Sequence, residues 1–287
     1  MQNLYTLKLT KQQEEQLYTT WSECKAPTPP YAKWQLRPEN CVITCYESGK
    51  TVFQGKDASV YASPFTSIVA PVIKDKNIFP QAGSDEVGTG DYFGPVVVAA
   101  TIITKENASL LLELGVRDSK KLTDKDILEI APKLIQKIPH TILILTPEKY
   151  NQVHETNNMN AIKAKLHNQA YVNLQNKYGL PSFKIIDQFT PERNFYRYIS
   201  QEKKVIRGIT FQTKAEDDFL SVGCASVIAR YAFLKKMEEM EKEWSFDFPK
   251  GASSKVDAYG QKFVDAFGFE ALSKVAKVHF KNTEKLH

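Results

Sequence analysis

Cysteine is scarce: Cys24, Cys41, Cys45 and Cys224 are the only four in 287 residues, and none forms a C-x-x-C pair. That excludes a disulfide framework and leaves thiols that pack as small apolar groups. Cys41 and Cys45 lie on one side of a strand-like run, and a zinc site there would need two further ligands. Long apolar runs are also missing. The longest, Phe93 to Ile103, is broken by Gly94, Pro95 and Thr101, well short of the roughly 20 residues of a membrane span. The start, Met1-Gln2-Asn3-Leu4-Tyr5-Thr6, has neither a basic region nor a small-residue cleavage site. A cytoplasmic protein without a membrane partner is expected. Charge of one sign is not concentrated: 38 Lys and Arg against 33 Asp and Glu give a net charge of +5, compatible with a polyanionic partner but too weak to establish one. What is present, 42% hydrophobic and 25% charged residues, describes one or two ordinary globular domains.

The pattern divides the chain. Leu4 to Leu9 alternates as a strand, Thr10 caps a polar helix reaching about Cys24, and Pro27, Pro29 and Pro30 end it. A strand over Tyr31 to Leu36 and a hairpin of Cys41–Tyr46 and Thr51–Gln54 around Glu47-Ser48-Gly49-Lys50 follow. Residues 1–70 thus form a small α+β unit, 71–82 a linker, and 83–287 a second domain. The second domain alternates strands and helices. Tyr92–Ile103 covers a strand end, a turn at Gly94-Pro95 and a second strand. A helix within Asp118–Ile138 starts at Thr123, Thr141–Leu145 is a short buried strand, and Met159–Tyr178 and Val222–Glu243 are long helices with strand Phe183–Asp187 between them. This is an α/β chain whose mixed sheet is flanked by helices.

The segment Gly83-Ser84-Asp85-Glu86-Val87-Gly88-Thr89-Gly90-Asp91-Tyr92-Phe93-Gly94-Pro95 carries the chemistry. Its glycine spacing matches neither G-x-G-x-x-G nor a P-loop, and Asp85, Glu86 and Asp91 would repel a bare pyrophosphate. Acids beside glycines point instead to a hard cation approached by a phosphate backbone. Adjacent strand residues face opposite ways, so Asp85 and Glu86 can share an ion only at a strand end or a local distortion.

This segment resembles the G-x-D-E-x-G-x-G start of the type 2 ribonuclease H family. Asp118-Ser119-Lys120-Lys121-Leu122 is similar to its D-S-K-K-L, Ile185-Ile186-Asp187 to its third acid at a strand end, and Ala225-Ser226-Val227-Ile228-Ala229-Arg230 to its A-S-I-I-A-K helix. Thr89 in place of the G-R-G arginine, Asn158-Met159-Asn160-Ala161-Ile162-Lys163-Ala164 with His167-Asn168, Thr213-Lys214-Ala215-Glu216 and Lys277-Val278-His279-Phe280 resemble the ribonuclease HIII branch. The resemblance implies a ribonuclease H-like mixed sheet flanked by helices, preceded by a TATA-box-binding-protein-like domain that binds substrate. It implies an endonuclease hydrolysing the RNA strand of RNA/DNA hybrids to 5′-phosphate and 3′-hydroxyl ends with two Mg²⁺ or Mn²⁺ ions, and no obligate protein partner.

The ligands so implied are Asp85, Glu86 and Asp187. Aligning the A-S-I-I-A-K segment puts Leu234 where a fourth acid is expected, so Glu216 is assigned that place over Asp217 and Asp218. Gly88, Thr89 and Gly90 are assigned to the substrate's 2′-hydroxyls, and Lys120, Lys121, Ser226 and Arg230 to its phosphates. For the lysines a solvated pair before a helix, and for Ser226 and Arg230 a packing or salt-bridge role, remain alternatives. His154, His167 and His279 read as structural, and Tyr31, Trp34 and Tyr46 as core or stacking residues. The rival functions are a non-catalytic hybrid-binding protein, which would have lost a carboxylate, and an integrase-like DNA nuclease, which would lack the ordered D-S-K-K-L and A-S-V-I-A-R matches.

Overall fold

Thr10 marks the first turn in the chain's direction. It ends β1 (Asn3–Lys8) and starts α1 (Lys11–Thr20): the Thr10 hydroxyl accepts from Gln13 N at 3.2 Å, and Gln13 Oε1 accepts from Thr10 N at 2.9 Å, a closed capping box. In this computed structural model, which describes residues 3–65, 78–116 and 121–287, the chain divides into two compact units, 1–74 and 75–287. α1 stops at Thr20 rather than near Cys24, because Trp21 turns inward to pack edge-on against Tyr61 with ring centroids 5.1 Å apart. β2 (Lys25–Ala26), β3 (Ala32–Leu36), β4 (Val42–Tyr46) and β5 (Lys50–Gly55) follow, then α2 (Ala58–Ala62). The sheet is antiparallel in the order β1-β5-β4-β3-β2. The helices bury Leu17, Trp21, Ala58 and Tyr61 against Leu36, Ile43 and Phe53. All four thiols are free, and burial pushes the buried Cys41 thiol up to about 11.

The second unit is built on β6 (Gln81–Val87), β7 (Val96–Ile103), β8 (His140–Leu145), β9 (Phe183–Asp187) and β10 (Ile209–Gln212), in the order β10-β9-β6-β7-β8. β6, β9 and β10 run parallel; β7 is antiparallel to β6 and to β8. α6 (Met159–Tyr178) covers one face, where Ala164, Tyr171 and Leu174 meet Ala82, Val98, Ala100 and Ile186. α9 (Leu220–Trp244) covers the other through Cys224, Ala225 and Ile228 on Val97 and Ala99, backed by α4 (Asp124–Lys137). Covered on both sides, all eight residues of β7 are buried, which is why its sequence is a continuous apolar run. α3 (Lys105–Glu113), α5 (Pro147–His154), α7 (Glu192–Tyr198), α8 (Ala215–Asp218) and α10 (Ser254–Phe267) complete it.

Two element expectations need correction. Tyr92 ends no strand. β6 closes at Val87, and Tyr92 and Phe93 belong to the β6–β7 connection, where a C-terminal segment buries them: Lys277 N donates to Tyr92 O at 2.9 Å, and Phe93 bridges Ala276. β8 is not a buried strand but the sheet's half-exposed edge, with Ile144 46% exposed. No helix among the described residues is long and apolar enough to cross a membrane.

Candidate active site

Two adjacent strands bring the acids together, Asp85 within β6 and Asp187 at the end of β9. β6 and β9 pair in parallel through Ser84 opposite Ile186, and one residue further along each strand come Asp85 and Asp187. β10 places Gln212 opposite Asp187, so the chain enters α8 and delivers Glu216 to the same neighbourhood. The Ala215 N–H donates to Asp187 Oδ1 at 3.1 Å. Asp85 faces α9, where the Ser226 hydroxyl bonds to its carboxylate, and its Oδ1 also accepts from Glu86 N at 2.8 Å.

Glu86 faces the other way, towards α6, as strand alternation requires. Both its oxygens are taken: Lys163 Nζ ion-pairs with Oε1, and His167 Nε2 lies 2.8 Å from Oε2. Because an ionised carboxylate only accepts, Nε2 carries the proton. The other ring nitrogen, Nδ1, lies 2.7 Å from Ser84 Oγ, so the imidazole is fixed at both ends. Lys163 Nζ also lies 4.1 Å from the centre of the Phe189 ring, and the same ring stacks on His167 at 5.3 Å.

Electrostatics separates the acids. Burial, then the charge of Glu86, pushes Asp85 well above the usual carboxylate range. Burial, then the charge of Glu216, pushes Asp187 up to about 6. Burial would raise Glu86 as well, but Lys163 and His167 outweigh it and hold Glu86 far below the ordinary value. Carboxylates that raise one another in this way are an all-oxygen donor set suited to a hard divalent cation, and in this respect the residues fit one. Yet among the described residues no three of His, Cys, Asp or Glu are gathered so as to hold an ion. Glu86 is turned onto Lys163 and His167.

The glycine loop splits into two parts. Gly88 is required by the fold, with φ +90 and a Cβ position 2.1 Å from Pro95 O. Gly90 has open space around it and an ordinary φ, so nothing in the fold demands it. Gly90→Ala is therefore expected to leave the melting temperature within about a degree, measured by differential scanning calorimetry. Thr89 between them is half-buried.

Asp118, Ser119 and Lys120 lie outside the described residues; Lys121 is exposed. Arg230 adopts the salt-bridge alternative: its Nε and Nη2 donate to Asp124 at 3.0 and 3.4 Å, beside Lys250 on the same carboxylate. Leu234 packs into the core beneath α9. His154 and His279 stack on each other at 4.0 Å, but His167, read from the sequence as structural, and Lys163, to which no role was given, both touch a site acid. Their spacing in Lys163-x-x-x-His167, one helical turn on one face, was the signal available.

A family model described as Ribonuclease HII matches residues 82–283. Ribonuclease HIII of Lactococcus lactis subsp. cremoris (strain SK11) is 43% identical over 259 residues, covering 89% of this chain and 88% of that protein. The chain belongs to the ribonuclease HIII family. Ribonuclease HIII of Bacillus velezensis is 41% identical, with 97% of this chain and 95% of that protein covered. Among solved structures, Bst-RNase HIII in complex with Mn²⁺ matches with a TM-score of 0.72 at 35% identity, covering 99% of this chain and 97% of that one. The ribonuclease H2 of Pyrococcus horikoshii OT3 shares the fold with a TM-score of 0.61 at 23% identity, covering 71% of this chain and 95% of that one. A domain of unknown function, DUF3378, matches residues 5–77, and the 97% and 99% of this chain covered by the Bacillus velezensis and Bst proteins take in both units.

Proposed function

We propose that this chain is an endonuclease that hydrolyses the RNA strand of RNA/DNA hybrids to 5′-phosphate and 3′-hydroxyl ends, with Asp85, Glu86, Asp187 and Glu216 holding two Mg²⁺ or Mn²⁺ ions. The observation that carries the reading is the meeting of Asp85, within β6, and Asp187, at the end of β9, on adjacent parallel strands, where burial and then acidic neighbours raise both. Held by these carboxylates, such ions would supply Lewis-acid activation of a water and charge stabilisation at the scissile phosphate. The chain's own groups do the rest. The Ser226 hydroxyl and the Glu86 N–H fix the Asp85 carboxylate, and the Ala215 N–H fixes Asp187. Gly88, Thr89 and Gly90 present backbone groups to 2′-hydroxyls, which distinguish RNA from DNA. Lys121, with Lys120, serves substrate phosphates. The N-terminal unit carries none of the proposed ligands and contributes to hybrid affinity.

The test is gel analysis of labelled duplexes with and without Mg²⁺. A continuous hybrid is cut only with metal, duplex DNA is not cut, and a DNA duplex with one embedded ribonucleotide is cut poorly, because Thr89 stands where the HII branch has its junction-reading arginine. Cutting of duplex DNA would favour the integrase-like rival, and binding without cutting the non-catalytic one.

Glu216 is favoured as fourth acid because its charge acts on Asp187, whereas Asp218 accepts from Gln212 Nε2 at 2.7 Å and Asp217 is exposed. Of Glu216→Gln, Asp217→Asn and Asp218→Asn, only the first is expected to raise the Mg²⁺ requirement, by roughly tenfold or more, about 1.4 kcal/mol of ion binding. An Asp variant failing in its place would move the assignment to that residue.

A further inference from the structure

The four proposed acids include one that is already neutralised from within. We propose that Lys163 is a resident counter-cation for Glu86 that a divalent ion must displace, so that this lysine sets the metal requirement of the site, an inference that rests on the carboxylate assignment above. Three observations carry it.

The Lys163 side chain is 11% exposed and that of Glu86 13%, so the pair is formed away from solvent, where an ammonium and a carboxylate hold each other strongly only while both stay in place. With Lys163 on Oε1 and His167 on Oε2, Glu86 is turned to α6 while Asp85 is turned to α9. Each Glu86 oxygen keeps a lone pair beyond the one its partner uses, but an ion shared with Asp85 and Asp187 through Oε1 would stand beside the Lys163 ammonium, and the two cations repel.

The two partners differ in freedom. His167 is clamped, with Nδ1 on Ser84 Oγ, Nε2 on Glu86, and its ring against Phe189. Lys163 has a flexible four-carbon stem and a second resting place, since its Nζ already lies 4.1 Å over the Phe189 ring. An ammonium that leaves Oε1 keeps the attraction of that aromatic face. His167 therefore keeps Glu86 oriented through Oε2 while Oε1 changes from a monovalent to a divalent cation. Phe189 stands two residues beyond Asp187, which places this resting position beside the site.

Removing the lysine charge has two consequences that add. The bare protein is left with a buried carboxylate held only by His167, so it is less stable, and an incoming dication no longer meets a fixed positive charge. A residue that merely positioned Glu86 for the metal would behave oppositely, its loss weakening binding.

The experiment is calorimetric titration of Mn²⁺ into the full-length, EDTA-treated chain and its variants, with melting temperatures in EDTA and in saturating Mn²⁺. Lys163→Met is expected to bind Mn²⁺ about tenfold more tightly than the unaltered protein, to melt lower in EDTA, and to gain more from Mn²⁺. Lys163→Arg, which keeps the charge, stays near the unaltered affinity. Lys163→Gln, which keeps a donor without the charge, replaces the Met variant if that one fails to fold and is held to the same expectation. Mn²⁺ affinity in the neutral variant equal to or weaker than the original overturns the proposal. Asp85→Asn separates this failure from the other: if it titrates like the unaltered protein, the carboxylate assignment is at fault. If it loses Mn²⁺ while the Lys163 variants are unshifted, only the exchange is.

Discussion

Asp85→Asn is expected to reduce hybrid cleavage by roughly 10³-fold, the upper end of what one electrostatic group supplies, while hybrid affinity in EDTA stays the same or rises slightly. The substitution removes a charge and almost no volume. Its amide oxygen still accepts from Glu86 N, as Asp85 Oδ1 does at 2.8 Å, and the Ser226 hydroxyl can turn to accept from the new amide. The lost charge is one that burial and Glu86 already penalise. The metal-free variant should therefore melt at or above the temperature of the unaltered protein, a site acid being held at some cost to the fold. Removing a negative charge also eases approach of the phosphate backbone. Rates at saturating Mg²⁺, affinity in EDTA and melting in EDTA, measured on one preparation, test all three statements. Near-normal turnover would show that the ions sit elsewhere.

What could be read without coordinates was whatever the local pattern encodes. The helix starts at Thr10 and Thr123, strand Phe183–Asp187 and helix Met159–Tyr178 are set by short-range rules, and the structure has them. Asp85, Glu86 and Asp187 stood out because each belongs to a motif, and the structure places them on β6 and β9. Long-range partners were not. The buried Lys277 donates its Nζ to Gly94 O at 2.6 Å, a contact 183 residues away in the chain, and nothing near Lys277 announces it. His167 reaches Glu86 across 81 residues, so reading it as an ordinary structural histidine missed a bond that only the α6–β6 packing creates. β10 was passed over because four residues, Ile209–Gln212, are too few to show an alternation, and its place is set by pairing with β9. The edge position of β8 was misread for a related reason: Thr141–Leu145 is apolar enough for an interior strand, and only the strand order says which side lacks a neighbour.

Adding a single methyl group at Gly83 is expected to lower the melting temperature by about 5–10 °C and to weaken catalysis at a site two residues away. Gly83 has an ordinary φ, so the effect is steric rather than conformational. A Cβ there would lie 2.5 Å from Val222 N and 2.6 Å from Ser221 C, the backbone of α9 where it crosses β6. Backbone atoms cannot swing aside as a side-chain tip does, so the helix itself must lift. Its first turn is tied down by buried bonds: Ser221 N and Oγ donate to Gln81 Oε1 at 3.1 and 2.9 Å, and Thr101 Oγ1 donates to Ser221 O at 2.8 Å. Overpacking of a core, the strain passed to its hydrogen bonds included, costs about 1–3 kcal/mol. At about 2–4 °C per kcal/mol for a unit of this size, that range takes in the stated shift. The catalytic effect follows from the same displacement, because α9 carries Ser226, whose hydroxyl holds the Asp85 carboxylate. Calorimetry of Gly83→Ala in EDTA, run beside Gly90→Ala, separates crowding from a general intolerance of alanine on this segment. Equal melting temperatures for the two variants would mean that α9 yields without cost, and that its close seat on β6 does not position Asp85.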